Sequence, residues 1–169
     1  MNDSDRIRQS VEKYGDMLYR ICLVMLKNSA DAEDAVQSVF MKLFMKVPQF
    51  ESDEHEKAWL IRVATNKCRD MLRFRIKFHT IDDETLNSIA ADEESTRLIE
   101  LLTELPEKFR LVLTLHYIEG YKVDEIAQMI GRTASAVKMR LSKGRALLEE
   151  KYRKEFVNYE YVENKTLGR

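Results

Sequence analysis

The residues of this chain best suited to a chemical task are the cations Arg132, Lys138, Arg140, Lys143 and Arg145. Ammonium and guanidinium groups are natural partners of phosphate, the guanidinium through two parallel N–H bonds. On a helix with steps of about 100° per residue, Lys138 and Arg145 border one edge of an arc, and Arg140 and Lys143 border the other. The arc itself holds Ser135, Met139, Ser142 and Ala146. Such small or flexible side chains can meet base edges while the long cations reach phosphates on either strand. The opposite side, Val137, Leu141, Gly144 and Leu148, is predicted to pack inward. A solvated basic face on an ordinary helical bundle would show the same charges, so the elements that position them have to decide.

Glu125 to Ile130 read as a short helix ended by Gly131, the residue that most easily takes the left-handed conformation a helix stop needs. Thr133 can cap the next helix by accepting a backbone N–H of its first turn. Only Arg132 lies between them. A turn this short makes the two helices cross steeply, which is the helix-turn-helix arrangement that offers its second helix to a major groove.

A second basic block lies upstream. Lys57, Arg62, Lys67, Arg69, Arg73, Arg75 and Lys77 are opposed only by Asp70. They fall on a helix capped by Ser52, with Trp59, Leu60, Val63, Ala64, Cys68, Met71 and Leu72 as its apolar stripe. Arg62, Asn66, Lys67, Arg69 and Arg73 then point away or to the edges. Cations beside an amide and an aromatic such as Phe50 suit a separated strand, where charge follows the backbone and an unstacked base finds a partner. Phe50 and Trp59 are equally compatible with a core, and Trp59 reads best as one.

Bulk properties set the frame. In 169 residues there are only five glycines and two prolines, Leu, Met, Glu, Lys and Arg are plentiful, and strand-like alternation is absent. The fold class is therefore all-α, and the length suits two small helical domains. The first is assigned to residues 1–79 and the second to 96–155, with a linker at 80–95 and a tail at 156–169 that follows no interpretable pattern. The linker carries Asp82, Asp83, Glu84, Asp92, Glu93 and Glu94, so a net charge of −1 conceals two basic faces separated by an acidic stretch.

Within the first domain, Asp3 or Ser4 is placed to cap a helix whose inward positions are Ile7, Val11, Tyr14, Leu18, Ile21, Cys22, Met25 and Leu26. A break at Asn28 to Ala30 precedes a second helix that opens at Asp31 and runs towards Pro48. Its predicted stripe is Val36, Val39, Phe40, Leu43, Phe44 and Val47. Asp34, Gln37, Ser38, Met41, Lys42 and Met45 form its outer face, a mixture of charge and flexible thioethers that suits docking.

Other chemistry finds little support. His55, His79 and His116 are scattered without a nucleophile or carboxylate at suggestive spacing, which argues against an enzyme. Cys22 and Cys68 are too widely spaced for a metal knuckle or a redox pair, so no metal or cofactor is expected and both read as packing residues in a reducing cytoplasm. The longest apolar run, Ile21 to Leu26, is too short to cross a bilayer, and the start MNDSDRIRQS has no apolar signal core.

Two blocks of this sequence resemble one family. DAEDAVQSVFMKLF followed by AWLIRVATNKCRDMLR is similar to the second region of bacterial sigma factors of the sigma-70 family. LPEKFRLVLTLHYIEGYKVDEIAQMIGRTASAVKMRLSKGRALL is similar to their fourth. With only a short acidic connector between them, the chain resembles the extracytoplasmic-function (ECF) branch.

The resemblance implies a non-enzymatic subunit that binds core RNA polymerase at its clamp coiled coil and flap, directs it to promoter DNA and nucleates melting. It implies that Asp34, Gln37, Met41 and Lys42 meet the polymerase. Phe50, Arg62, Asn66, Lys67, Arg69 and Arg73 would serve the −10 element, the loop around Phe50 receiving an extruded base. Arg132, Thr133, Ser135, Lys138, Met139, Arg140, Ser142, Lys143 and Arg145 would serve the −35 element. It also implies an anti-sigma factor as partner. Lys122 departs from the family pattern, standing where Ser or Thr commonly caps the first helix of the turn. The competing reading is a stand-alone helix-turn-helix regulator that binds duplex operators as a dimer.

Overall fold

Helix α1, Asp3–Leu26, sets the architecture, because its last six residues are apolar on every side. Ile21, Cys22, Leu23, Val24, Met25 and Leu26 are all buried, with Leu23 and Val24 as fully covered as the predicted inward residues. One neighbour could not cover a whole helix circumference, and α1 has neighbours from both halves of the chain. The computed structural model describes residues 3–46, 48–74 and 93–166, and these contain helices and no strand.

The first half is α1, α2 (Ser29–Lys46) and α3 (Asp53–Arg73), packed on one another. Helix α1 already begins at Asp3, so Ser4 lies inside it and does not cap it. Val11, expected inward, is exposed. Lys27 ends the helix in a left-handed conformation, φ 56°, with its N–H on the Leu23 carbonyl at 2.8 Å. Asn28 then caps α2, its Oδ1 accepting the Asp31 N–H at 2.9 Å. Ser52 caps α3 as expected, accepting the His55 N–H at 3.1 Å.

The second half is α4 (Glu93–Thr103), α5 (Glu107–Leu113) with a π-helical turn at Thr114–Ile118, α6 (Val123–Ile130) and α7 (Ala134–Thr166). Helix α4 starts inside the stretch read as linker, whose residues 80–92 lie outside the described ones, as do Arg75, Lys77 and His79. Helix α7 does not stop near residue 155 but runs on to Thr166. Pairs from Lys151 to Glu104, at 2.8 Å, and from Arg97 to Glu155 tie its middle to α4.

The halves share one apolar core. Helix α1 packs against α5, and α3 packs against α6. At this seam the buried Arg110 donates to the carbonyls of Thr103 at 2.6 Å and Met25 at 2.8 Å, so one guanidinium serves the C-terminal ends of α4 and α1 together. Its Nε has no hydrogen-bond partner among the described residues. Burial lowers its proton affinity, which Glu107 partly restores.

Cys22 and Cys68, far apart in sequence, meet in the first half's core as free buried thiols. The bond to Cys22, with burial, pushes the Cys68 thiol far up, which makes it a poor nucleophile and agrees with a packing role.

Candidate nucleic-acid interface

The helix-turn-helix forms as its turn residues dictate. Gly131 sits at φ 64°, ψ 45°, and the N–H groups of Gly131 and Arg132 both reach the Ala127 carbonyl, the latter at 2.9 Å. Thr133 Oγ1 accepts the Ala136 N–H at 3.1 Å. Lys122 has no side-chain acceptor to cap α6. The Glu125 carboxylate instead accepts the Lys122 N–H at 2.7 Å, supplying half of a capping box and offsetting part of the loss.

Helix α7 presents the predicted faces. Val137, Leu141 and Gly144 are buried. Gly144 is required by closeness: a Cβ there would lie 3.0 Å from Leu113 Cδ1 and 3.3 Å from Phe109 Cβ, so α7 can approach α5 only because that atom is missing. Arg132, Thr133, Ser135, Lys138, Met139, Ser142, Lys143 and Arg145 are exposed, and Arg140 is half-buried. Arg145 donates to the Tyr117 hydroxyl at 2.9 Å. Tyr117, on the π-turn, was not singled out by its sequence position, and only the fold brings it to the basic arc.

On α3 the buried positions are Leu60, Ile61, Ala64, Thr65 and Cys68, an arc rotated away from the stripe read in the sequence, with Trp59 and Val63 at its edge. Arg62, Asn66 and Arg73 are exposed, and Lys67 and Arg69 are half-buried. These cations are not all open to solvent partners. Arg62 donates to the Gln128 carbonyl at 2.6 Å and the Met129 carbonyl at 3.4 Å, both in the last turn of α6. Arg69 pairs with Glu107 at 3.2 Å. Arg73 pairs with Asp70 in an exposed contact of the kind that contributes little.

The two basic faces therefore converge. Burial depresses the proton affinity of Arg140, and Arg132 and Arg69 depress it further, with Glu107 opposing them. Two arginines of the helix-turn-helix and one from α3 thus lie within electrostatic reach of each other.

Phe50 is half-buried in an aromatic cluster, 5.6 Å from Trp59 and 5.5 Å from His55 between ring centroids, with the Arg6 guanidinium 5.3 Å above it. His116 is a packed side chain, its Nδ1 2.8 Å from the Tyr121 carbonyl.

On α2, Asp34, Gln37 and Met41 are exposed and Lys42 is half-buried. Phe44, expected inward, is 55% exposed and joins Met41 and Met45 in an apolar ridge. The buried arc centres on Ala32, Ala35, Val39 and Leu43, and Phe44 lies roughly 120° from that centre at helical steps. Ala32 and Ala35 share the inner face with Val39 and Leu43, whereas Val36 and Phe40 are half-buried. Val47 lies outside the described residues.

With this geometry in view, comparisons with known proteins are decisive. Residues 10–76 match the Sigma-70 region 2 model and residues 95–148 the Sigma-70 region 4 model. The chain is 28% identical over 170 residues to the ECF RNA polymerase sigma factor SigW of Bacillus subtilis, covering 89% of this chain and 91% of that one. It is 31% identical over 141 residues to the RNA polymerase sigma factor SigV of the same organism, covering 81% and 85%. A solved structure of CnrH in complex with the cytosolic domain of CnrY superposes with a TM-score of 0.71 at 27% identity, over 89% of this chain and 90% of that one. The sigma factor RpoE from Bartonella quintana, solved with the anti-sigma factor NepR, shares the fold at a TM-score of 0.69. None of these relatives supports a stand-alone dimeric regulator. No described helix is long and apolar enough to cross a membrane. The chain belongs to the sigma-70 family of RNA polymerase sigma factors, in its ECF branch.

Proposed function

We propose that the sigma-factor activity of this chain is divided between its two basic surfaces: the exposed arc of α7 reads the duplex −35 element, and α3 takes the separated strand of the −10 element. The observation that carries this is the two-sidedness of α7. Val137, Leu141 and Gly144 are fixed in the core, which points Ser135, Met139 and Ser142 outward between flanking cations. Asn66 is the exposed amide of α3, with Arg62, Lys67, Arg69 and Arg73 around it.

Residues 1–79 then form the polymerase-docking and melting unit, and residues 96–155 the duplex reader, with the connector 80–95 between them. Docking on the clamp coiled coil falls to the outer face of α2, where Asp34, Gln37, Met41 and Lys42 are joined by Phe44 and Met45. An exposed Phe beside two exposed Met side chains is the apolar anchor such an interface needs. The second half meets the flap. The protein acts in the cytoplasm without enzymatic activity, under an anti-sigma factor such as the one named for the Bartonella relative.

Lys138→Ala is expected to weaken −35 duplex binding and lower its salt dependence by about one ion. Asn66→Ala is expected to leave duplex binding intact and impair open-complex formation, read by permanganate footprinting with core polymerase. Equal loss of duplex binding in both variants contradicts the division.

A further inference from the structure

The loop between α2 and α3 is held by a residue of neither helix. Arg6, in the first turn of α1, donates through its guanidinium to the Pro48 carbonyl at 2.8 Å, and the same group lies 5.3 Å over the Phe50 ring. One side chain thus grips the loop on both sides of Gln49, which is exposed. The anchor is itself fixed. Four residues further along α1 the buried Ser10 hydroxyl donates to the Glu56 carboxylate, and the Tyr14 hydroxyl donates to the Asp53 carbonyl at 3.2 Å, so this end of α1 is tied to the start of α3. The far end of the loop is closed by α3: Ser52 Oγ accepts the His55 N–H, and His55 Nδ1 accepts the Glu51 N–H at 3.3 Å.

We propose that Arg6 is a positioning residue for −10 recognition, setting the path of residues 48–52 so that the loop meets one extruded base in one orientation. This role rests on the assignment of the −10 strand to the first half and of the Phe50 loop to its extruded base. A recognition loop that must order itself at every encounter loses part of its binding free energy in doing so, and a loop already held does not. A guanidinium suits the task better than an ammonium, because it can donate at its edge while its face covers a ring. Without it the loop keeps its contacts to α3 but loses the fixed path from Pro48 to Phe50. The cations of α3 are untouched, so general affinity for the strand persists while discrimination at the one base is lost.

The test uses holoenzyme assembled from core polymerase and the full chain, incubated with short single strands randomised over their central positions, the retained strands being sequenced. Relative to core polymerase alone, the unsubstituted chain should enrich a motif in which each read position favours its base about tenfold. Arg6→Met keeps the aliphatic stem and removes both polar contacts. It should bring the preference at one position to about even, leave the others standing, and keep total strand retention within about twofold. Arg6→Lys keeps the charge without the fork and should restore about half of that preference. A second readout needs no nucleic acid. Trp59, the sole tryptophan and 5.6 Å from Phe50, should be quenched by acrylamide more readily in Arg6→Met, at unchanged helix content by circular dichroism.

Undiminished preference at every position in Arg6→Met, or an equal loss at all positions, would overturn the positioning role. If Arg6→Met loses helix content, the comparison is read in Arg6→Lys, where undiminished preference at every position overturns it likewise. A flat profile from the unsubstituted chain would instead overturn the −10 assignment, and the role of Arg6 with it.

Discussion

Arg110→Ala is the substitution whose cost can be worked most fully from the structure. It removes two hydrogen bonds from a cation to the carbonyls of Thr103 and Met25, at about 1.5–3 kcal/mol each. Against this stands relief of the buried Nε that has no partner, about 1–3 kcal/mol. At the midpoints, about 4.5 against about 2 kcal/mol, the bonds win and leave a net destabilisation of about 2–3 kcal/mol. That loss falls on the contact between the halves, because Met25 lies in the last turn of α1 and Thr103 ends α4. Trp59, the sole tryptophan, reports on the first half alone, whereas far-ultraviolet circular dichroism reports on all helices. In urea, fluorescence and dichroism should give one coincident transition for the unsubstituted chain and two separated transitions for Arg110→Ala. Arg110→Lys should fall between them, since a point charge cannot reach both carbonyls with a fixed fork. Coincident and unshifted transitions in Arg110→Ala would refute the reasoning.

Three further outcomes follow from local geometry. Gly131→Val should cost about 1–2 kcal/mol and weaken −35 duplex binding, whereas Gly131→Asn should cost clearly less. A Cβ at Gly131 meets nothing within 4 Å, so only backbone strain at φ 64° is at issue, and equal costs in thermal melts would disprove it. Lys27→Gly should raise stability by about 0.5–1 kcal/mol in urea titrations by relieving the left-handed lysine at φ 56°. Tyr121 is pushed up to about 12 by burial, from an ordinary value near 10. Its folded pKa is the higher one, so its contribution is whole below pH 10 and is lost as pH rises towards 12. Stability at pH 11 should fall relative to pH 8, and Tyr121→Phe should flatten that fall.

The helix-turn-helix was legible because it is written in local chemistry: Gly131 must be left-handed, Thr133 must cap, and one residue separates them. The outward arc of α7 followed from the same 3.6-residue period. What was not legible depends on the other half of the chain. Ile21, Cys22, Met25 and Leu26 read as one inward stripe, but Leu23 and Val24 on the other side of α1 are buried as well, because the second half docks there. Arg62 and Arg69 read as free cations because carbonyls at Gln128 and Met129 and a carboxylate at Glu107 are distant in sequence. Phe44 was misplaced because its hydrophobicity outweighed two small alanines that share the buried face of α2 with Val39 and Leu43. Periodicity ranks faces by apolarity and cannot tell a core face from a docking face.

Run-off transcription with purified core polymerase on genomic promoter fragments tests the central claim most directly. Addition of this chain should yield discrete transcripts that Asn66→Ala diminishes and that core polymerase alone does not produce. No promoter-specific transcript from any fragment, with no association between the chain and the polymerase, would contradict it.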